Sequence, residues 1–112
     1  MLETGIKGHK ETVVNHNNTA VFAGSGELEV FATPAMVALM EQACQESVAP
    51  LLEEGKGTVG THLDVSHVSA SPLGAHIRIE SELIEIDRRR LVFTVKDVQI
   101  CKCTLLNFPG CN

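Results

Sequence analysis

The chain has 112 residues, 44% of them hydrophobic, with no Trp, no Tyr and four Phe. That is the length of one domain with an aliphatic core, with no room for a second folded module and little case for disorder. Fourteen acidic residues against nine basic give a net charge of −5, concentrated in residues 1–55, which hold eight acids and two bases where residues 56–112 hold six and seven; without a basic face and stacking aromatics, nucleic-acid binding is excluded.

Glu11–Asn15 is a short strand candidate, Asn15-His16-Asn17-Asn18 a turn cluster, and Thr19–Phe22 a strand that pairs back as a hairpin. Gly24-Ser25-Gly26 breaks the chain, and Glu27–Phe31 runs extended into the strongest local signal. Thr33 before Pro34 reads as an N-cap and first helical residue, because the hydroxyl can accept from free backbone N–H groups while proline has none to leave unpaired. Met36, Met40, Ala43, Cys44, Ser47, Val48 and Leu51 recur at three and four residues and predict a helix over 34–54, ended by Gly55. With Met40 at the origin of a helical projection, the stripe centres near 20° and Glu41 lies at about 100°, on its border; Gln42 and Glu46, at about 200° and 240°, face water.

From Thr58 the period changes to two. Val59, Thr61, Leu63, Val65 and His67 share one side of a strand, and Gly60, His62, Asp64 and Ser66 the other. After the connection Ser69–Gly74, His76–Ile86 and Arg90–Ile100 form a long hairpin around Asp87-Arg88-Arg89, and the switch of apolar parity after Leu83 predicts a bulge. One long helix ahead of three long antiparallel strands gives an α+β domain with the helix on one face of the sheet.

No apolar run approaches the ~20 residues of a membrane span, and Met1-Leu2-Glu3-Thr4-Gly5 lacks the features of a signal peptide, so a cytoplasmic protein that does not enter membranes is expected. The cysteines at 44, 101, 103 and 111 form no spaced disulfide framework and are expected as free thiols; Cys101-Lys102-Cys103 with Cys111 does not match paired zinc spacing, and no metal is expected.

Several motifs carry a resemblance: Phe31-Ala32-Thr33-Pro34-Ala35-Met36-Val37, the helix with Glu41, Thr58-Val59-Gly60-Thr61-His62-Leu63-Asp64-Val65-Ser66-His67, Ser71-Pro72-Leu73-Gly74, and Arg89-Arg90-Leu91-Val92-Phe93. In this order and spacing they resemble the hotdog-fold acyl-CoA thioesterases, in the branch that includes fluoroacetyl-CoA thioesterase. The likeness covers roughly residues 10–98 and implies an antiparallel sheet wrapped around one central helix, and a homodimer, or an assembly of four, with acyl-CoA sites at the subunit boundary. It also implies a Thr, a Glu and a His acting together: Thr33 at the helix start, Glu41 two turns on, and His67 ending the strand. Hydrolysis of a small acyl-CoA to acid and coenzyme A is the expected reaction, with no cofactor beyond the coenzyme A of the substrate.

The chemistry of these residue types fits. A carboxylate at the edge of a buried stripe is partly desolvated and more reactive, and a histidine on an apolar face can move protons near neutral pH. Backbone N–H groups near Gly60, with Thr61 beside it, are candidates for holding substrate and the developing oxyanion. Each residue also has a plain reading: Thr33 as an ordinary cap, Glu41 as a boundary carboxylate, His67 as a satisfied core histidine. Arg88-Arg89-Arg90 is either a solvated turn or a contact to the phosphates of coenzyme A. A non-catalytic hotdog protein that binds acyl-CoA or another small ligand stands as the alternative.

The end departs from the resemblance. Where the family has a return strand rich in Gly, Thr, His, Glu and Arg, residues 101–112 read Cys-Lys-Cys-Thr-Leu-Leu-Asn-Phe-Pro-Gly-Cys-Asn. Pro109-Gly110 argues for at most a short edge strand followed by a loose tail.

Overall fold

The computed structural model describes residues 2–65, 70–96 and 100–109. Its elements in chain order are β1 (Lys7–Val13), a one-turn helix α1 (Ala20–Ala23), the long helix α2 (Thr33–Val48), a 3-10 turn (Ala49–Leu51), β2 (Lys56–Asp64), β3 (His76–Asp87), β4 (Arg90–Lys96) and β5 (Ile100–Pro109). The strands form one antiparallel sheet in the order β1-β3-β4-β5-β2, with α2 packed across one face.

Helix and sheet bury each other as the periodicities require. Met36, Met40, Ala43, Cys44 and Val48 meet Ile77, Ile79 and Leu83 from β3, Leu91, Phe93 and Val95 from β4, and Cys101, Cys103 and Leu105 from β5. Each large side chain fully removed from water here contributes about 1.5–3 kcal/mol. Phe31 and Ala32, both buried, fix the start of α2 in this core.

The helix starts one residue earlier than expected and ends six earlier. Thr33 is its first residue, Pro34 its second, and the N-cap is Ala32, which makes no side-chain capping bond. The stop at Val48 follows from Pro50, which has no N–H for an α-helical bond and sits in the middle of a 3-10 turn instead. Leu51 consequently leaves the apolar stripe and is exposed. Gly55 does take a left-handed backbone, with φ of 83°, but in the turn that enters β2.

Thr19–Phe22 is not a hairpin strand. Asn15 and Asn18 spend their side chains on nearby backbone groups, closing a tight turn. Thr19 then accepts from Phe22 N and caps α1, which Gly24 ends in a left-handed conformation. The strand β1 pairs instead with β3, from Lys7↔Glu82 to Val13↔His76.

The bulge in β3 lies where the parity switch placed it, between Leu83 and Glu85. Ile84 and Ile86 beyond it are exposed rather than turned into the core.

The expectation of a short edge strand at the C-terminus is overturned. β5 runs ten residues and is interior, pairing with β4 from Lys96↔Ile100 to Arg90↔Leu106 and with β2 from Asp64↔Lys102 to Lys56↔Pro109. Two features of the sequence allow it. Cys101, Cys103 and Leu105 alternate and are all buried, supplying the inward face, while Lys102 stays exposed. Pro109 falls on the last paired position, where its missing N–H affects only the end of the ladder. The return strand is therefore present in a different composition, and the open edges of the sheet are β1 and β2.

Among the described residues Cys44, Cys101 and Cys103 carry thiols outside any disulfide, and all three are buried. Cys44 is held well above the ordinary thiol range by its hydrogen bond to Cys103 and by burial. Native protein should therefore expose none of these three thiols to an aromatic disulfide reagent on a timescale of minutes, and all three after denaturation. Rapid labelling of Cys44 or Cys103 in the folded state would contradict the packing.

Candidate active site

Glu41 sits two turns into α2, half-buried at the border of the apolar stripe, while Gln42 and Glu46 point to water as the projection placed them. Across from it runs β2. A Cβ built on Gly60 would overlap the Glu41 carboxylate oxygen Oε2, so the carboxylate lies directly on the strand backbone, in space that only glycine leaves free. Beneath are Cys44 and Cys103: the hydrogen bond between them, with burial, pushes the Cys44 thiol up, and the same bond holds Cys103 below the ordinary range, against burial and the nearby Glu41 charge. The carboxylate thus has backbone on one side, buried sulfur below, and an open groove of about 310 Å³ on the other, lined also by Ala38, Gln42, Gln45, Thr58 and Leu105.

The face of β2 that meets the helix differs from the simple alternation. Thr58 and Gly60 face α2, Val59 is 40% exposed, and a register shift between Gly60 and His62 turns Leu63 and Val65 toward the core. A bulge at Thr61 is the cause: it inserts one residue and inverts the parity beyond it. Thr61 directs its hydroxyl to the Thr104 carbonyl of β5, at 3.4 Å, and does not line the groove.

Of the residues singled out from sequence, Glu41 and Gly60 are in direct contact. Thr33 lies at the exposed first position of α2, about 12 Å along the helix axis from Glu41, and does not line the groove. His67 lies outside the described residues. Among those described, no group of three His, Cys, Asp or Glu side chains is arranged to hold a metal, and no helix is long and apolar enough to cross a membrane.

Sequence reasoning missed Thr58 as more than a strand residue, and missed Asn107 altogether. The Thr58 hydroxyl and the Asn107 amide oxygen are buried without hydrogen-bond partners among the described residues, and the two residues are directly paired across β2 and β5. The signal for Thr58 was its i, i+2 relation to Gly60, which the assumed parity did not use.

A family model described as fluoroacetyl-CoA-specific thioesterase matches residues 14–102. The chain belongs to this family. A fluoroacetyl-CoA thioesterase of Streptantibioticus cattleyicolor is 46% identical over 67 residues, which are 60% of this chain and 48% of that protein, so the match spans about half the length of that relative. Among solved structures, a fluoroacetyl-CoA thioesterase superposes with a TM-score of 0.89 at 30% identity, over 97% of this chain and 90% of that one. A mutant of the fluoroacetyl-CoA-specific thioesterase, solved with fluoroacetate and CoA, gives 0.87 at 30% identity over 96% of each chain. A thioesterase superfamily member from Thermus thermophilus gives 0.84 at 24% identity, over 96% of this chain and 84% of its own, and supports the fold. The hotdog architecture expected from the motifs is thereby shown: an antiparallel sheet with one central helix, in an α+β domain.

Glycine at position 60 has a measurable consequence at this groove. Gly60→Ala pushes a methyl group into the Glu41 carboxylate, the flexible end of a side chain, rather than into backbone. The expected result is a melting temperature close to wild type with turnover lowered by about tenfold or more, because a carboxylate displaced by about 1 Å loses its alignment with the substrate. Equal turnover in wild type and Gly60→Ala would show that the contact does not position Glu41.

Proposed function

We propose that this protein hydrolyses a small acyl-CoA thioester to the free acid and coenzyme A, acting as a homodimer in the cytoplasm, where thiols stay reduced. The observation that carries the reading is the Glu41 carboxylate lodged on the Gly60 backbone at the side of an open groove. A family relative solved with fluoroacetate and CoA supports the substrate class.

Thioester cleavage requires an activated oxygen nucleophile and donors for the oxyanion. Glu41 supplies the first, by attacking the carbonyl or by taking a proton from water. β2 supplies the second: it ends the sheet, so alternate backbone N–H groups near Gly60 face its open side. His67 handles protons, and the Thr33 hydroxyl holds the carboxylate or the substrate oxygen. Thr33 and Glu41 are separated along one helix, so a site at the boundary of two copies is the arrangement that supplies the set together, and the open edges of β1 and β2 favour such pairing.

The test is release of free thiol from a panel of short, branched and aryl acyl-CoAs, followed by coenzyme A binding. Turnover on at least one member is expected. Binding without turnover would replace the reading with that of a ligand-binding hotdog protein. Light scattering should give at least twice the chain mass of 12.1 kDa, and a single-chain mass at micromolar concentration would overturn the dimer.

A further inference from the structure

We propose that Thr58 and Asn107 together recognise an amide of the coenzyme A arm, so that the ligand runs from the Glu41 groove across this residue pair into a second groove beside it. The inference rests on the thioesterase reading and specifies which part of the substrate the chain grips.

Three observations carry it. First, the Thr58 hydroxyl and the Asn107 amide oxygen are both buried and lack partners among the described residues, a state that folded proteins rarely leave without a use. Directly paired antiparallel residues point to the same side of a sheet, so the two groups form one polar spot on the helix side, and together they offer what an amide needs: a hydroxyl that can donate to its carbonyl and an oxygen that can accept from its N–H.

Second, the spot joins two grooves. Thr58 lines the one that holds Glu41, and Asn107 lines a neighbouring one of about 450 Å³ that also contains Leu51, Ile86, Lys56 and Arg88. An extended ligand passing between them crosses both side chains and ends beside two cations, of which Lys56 also contacts Glu53 at 3.4 Å. This gives the Arg88 of the turn a place at the phosphate end of the ligand.

Third, the spacing fits. Thr58 is two residues from Gly60, about 6.6 Å along the strand, and the first amide of the arm lies two methylenes from the thioester sulfur, a span of comparable length. An acyl carbon held at Glu41 therefore brings that amide to Thr58. Thr58 lies within residues 14–102 that the family model matches, and Asn107 lies beyond them.

The experiment compares three thioesters of one acyl group: the acyl-CoA, the N-acetylcysteamine thioester, which keeps the first amide, and the S-ethyl thioester, which has none. Thr58→Val and Asn107→Leu should each lower kcat/KM about tenfold for the first two and less than twofold for the third, with the double variant losing less than the product of the two. Thr58→Ser should retain wild-type values. Melting temperatures of the variants should stay level or rise, since each removes an unpaired buried group. Equal losses on all three thioesters, or a hydroxyl-independent loss in Thr58→Ser, would overturn the proposal while leaving the thioesterase reading intact. Wild-type protein that hydrolyses none of the three would overturn that reading and this one with it.

Discussion

Glu41→Gln should lower thioester turnover by about 100-fold or more with little change in melting temperature. The substitution keeps the shape of the side chain against Gly60 and removes only the charge and the basic oxygen. Losing a positioned base or nucleophile commonly costs 10²–10⁴ in rate. Glu41 is half-buried and, among the described residues, takes part in no salt bridge or hydrogen bond that would be broken, so stability should stay within about 0.5 kcal/mol. His67→Ala should fall by a similar factor, and the pair should be less than multiplicative if both act in one step. Saturation kinetics separate this from binding: the loss should appear in kcat, with KM changed far less. Near-wild-type kcat in both variants would end the catalytic reading and leave a protein that binds its ligand without cleaving it.

Much of the candidate site was legible because Glu41 sits on a long, strongly periodic helix. The stripe from Met36 to Val48 fixed the orientation of α2, and one angular step placed Glu41 at its border, where the structure has it. The bulge after Leu83 was equally legible, since a change in the parity of apolar residues has few other causes. Thr61 defeated the same reasoning. Its bulge lies in a strand where Val59 and Leu63 suggest one face, yet the residues that meet the helix before the bulge are Thr58 and Gly60, neither of which reads as core. Apolar alternation marks a face only where the face is apolar, and a strand that lines an open groove is where that condition fails. Pro50 and Thr19 show local chemistry overriding pattern: a proline cut an apparent five-turn stripe short, and a capping hydroxyl made a helical turn of residues that β-propensity would pair.

Gly8 shows a further limit. A Cβ there would come within 2.6 Å of the Ala43 carbonyl and 2.7 Å of Ser47 Cβ, so the helix rests on β1 at one edge of the sheet as it rests on β2 at Gly60. Nothing local in the sequence distinguishes these seats from loop glycines, because the close approach is made by an element more than thirty residues away in one case and nineteen in the other. The two are not equivalent. At Gly8 the obstructing atoms include backbone, which cannot move aside, whereas at Gly60 the obstruction is the flexible end of the Glu41 side chain.

The largest stability effect should come from the segment that the sequence marked as weakest. Removing residues 100–112 takes away the strand between β4 and β2, leaving Leu91, Phe93 and Val95 without their partners Leu105, Cys103 and Cys101 and detaching β2 with Gly60 from the sheet. The truncated chain should lose cooperative unfolding and thioesterase activity together. A finer probe avoids wholesale collapse. Leu105 is 2% exposed and also lines the Glu41 groove, so Leu105→Ala should cost about 2–5 kcal/mol. That is a large share of the 5–15 kcal/mol typical of a whole domain, and at roughly 4 °C per kcal/mol it lowers the melting temperature by about 10–20 °C. Lys102→Ala, three residues earlier on the exposed face of the same strand, should change stability by less than about 0.5 kcal/mol. The contrast tests the alternation directly, since a strand lying loose at an edge would give two small effects and a strand sealed between β4 and β2 gives one large and one small. Equal and minor shifts in the two variants, or a truncated chain that melts like the wild type, would show that β5 does not close the sheet.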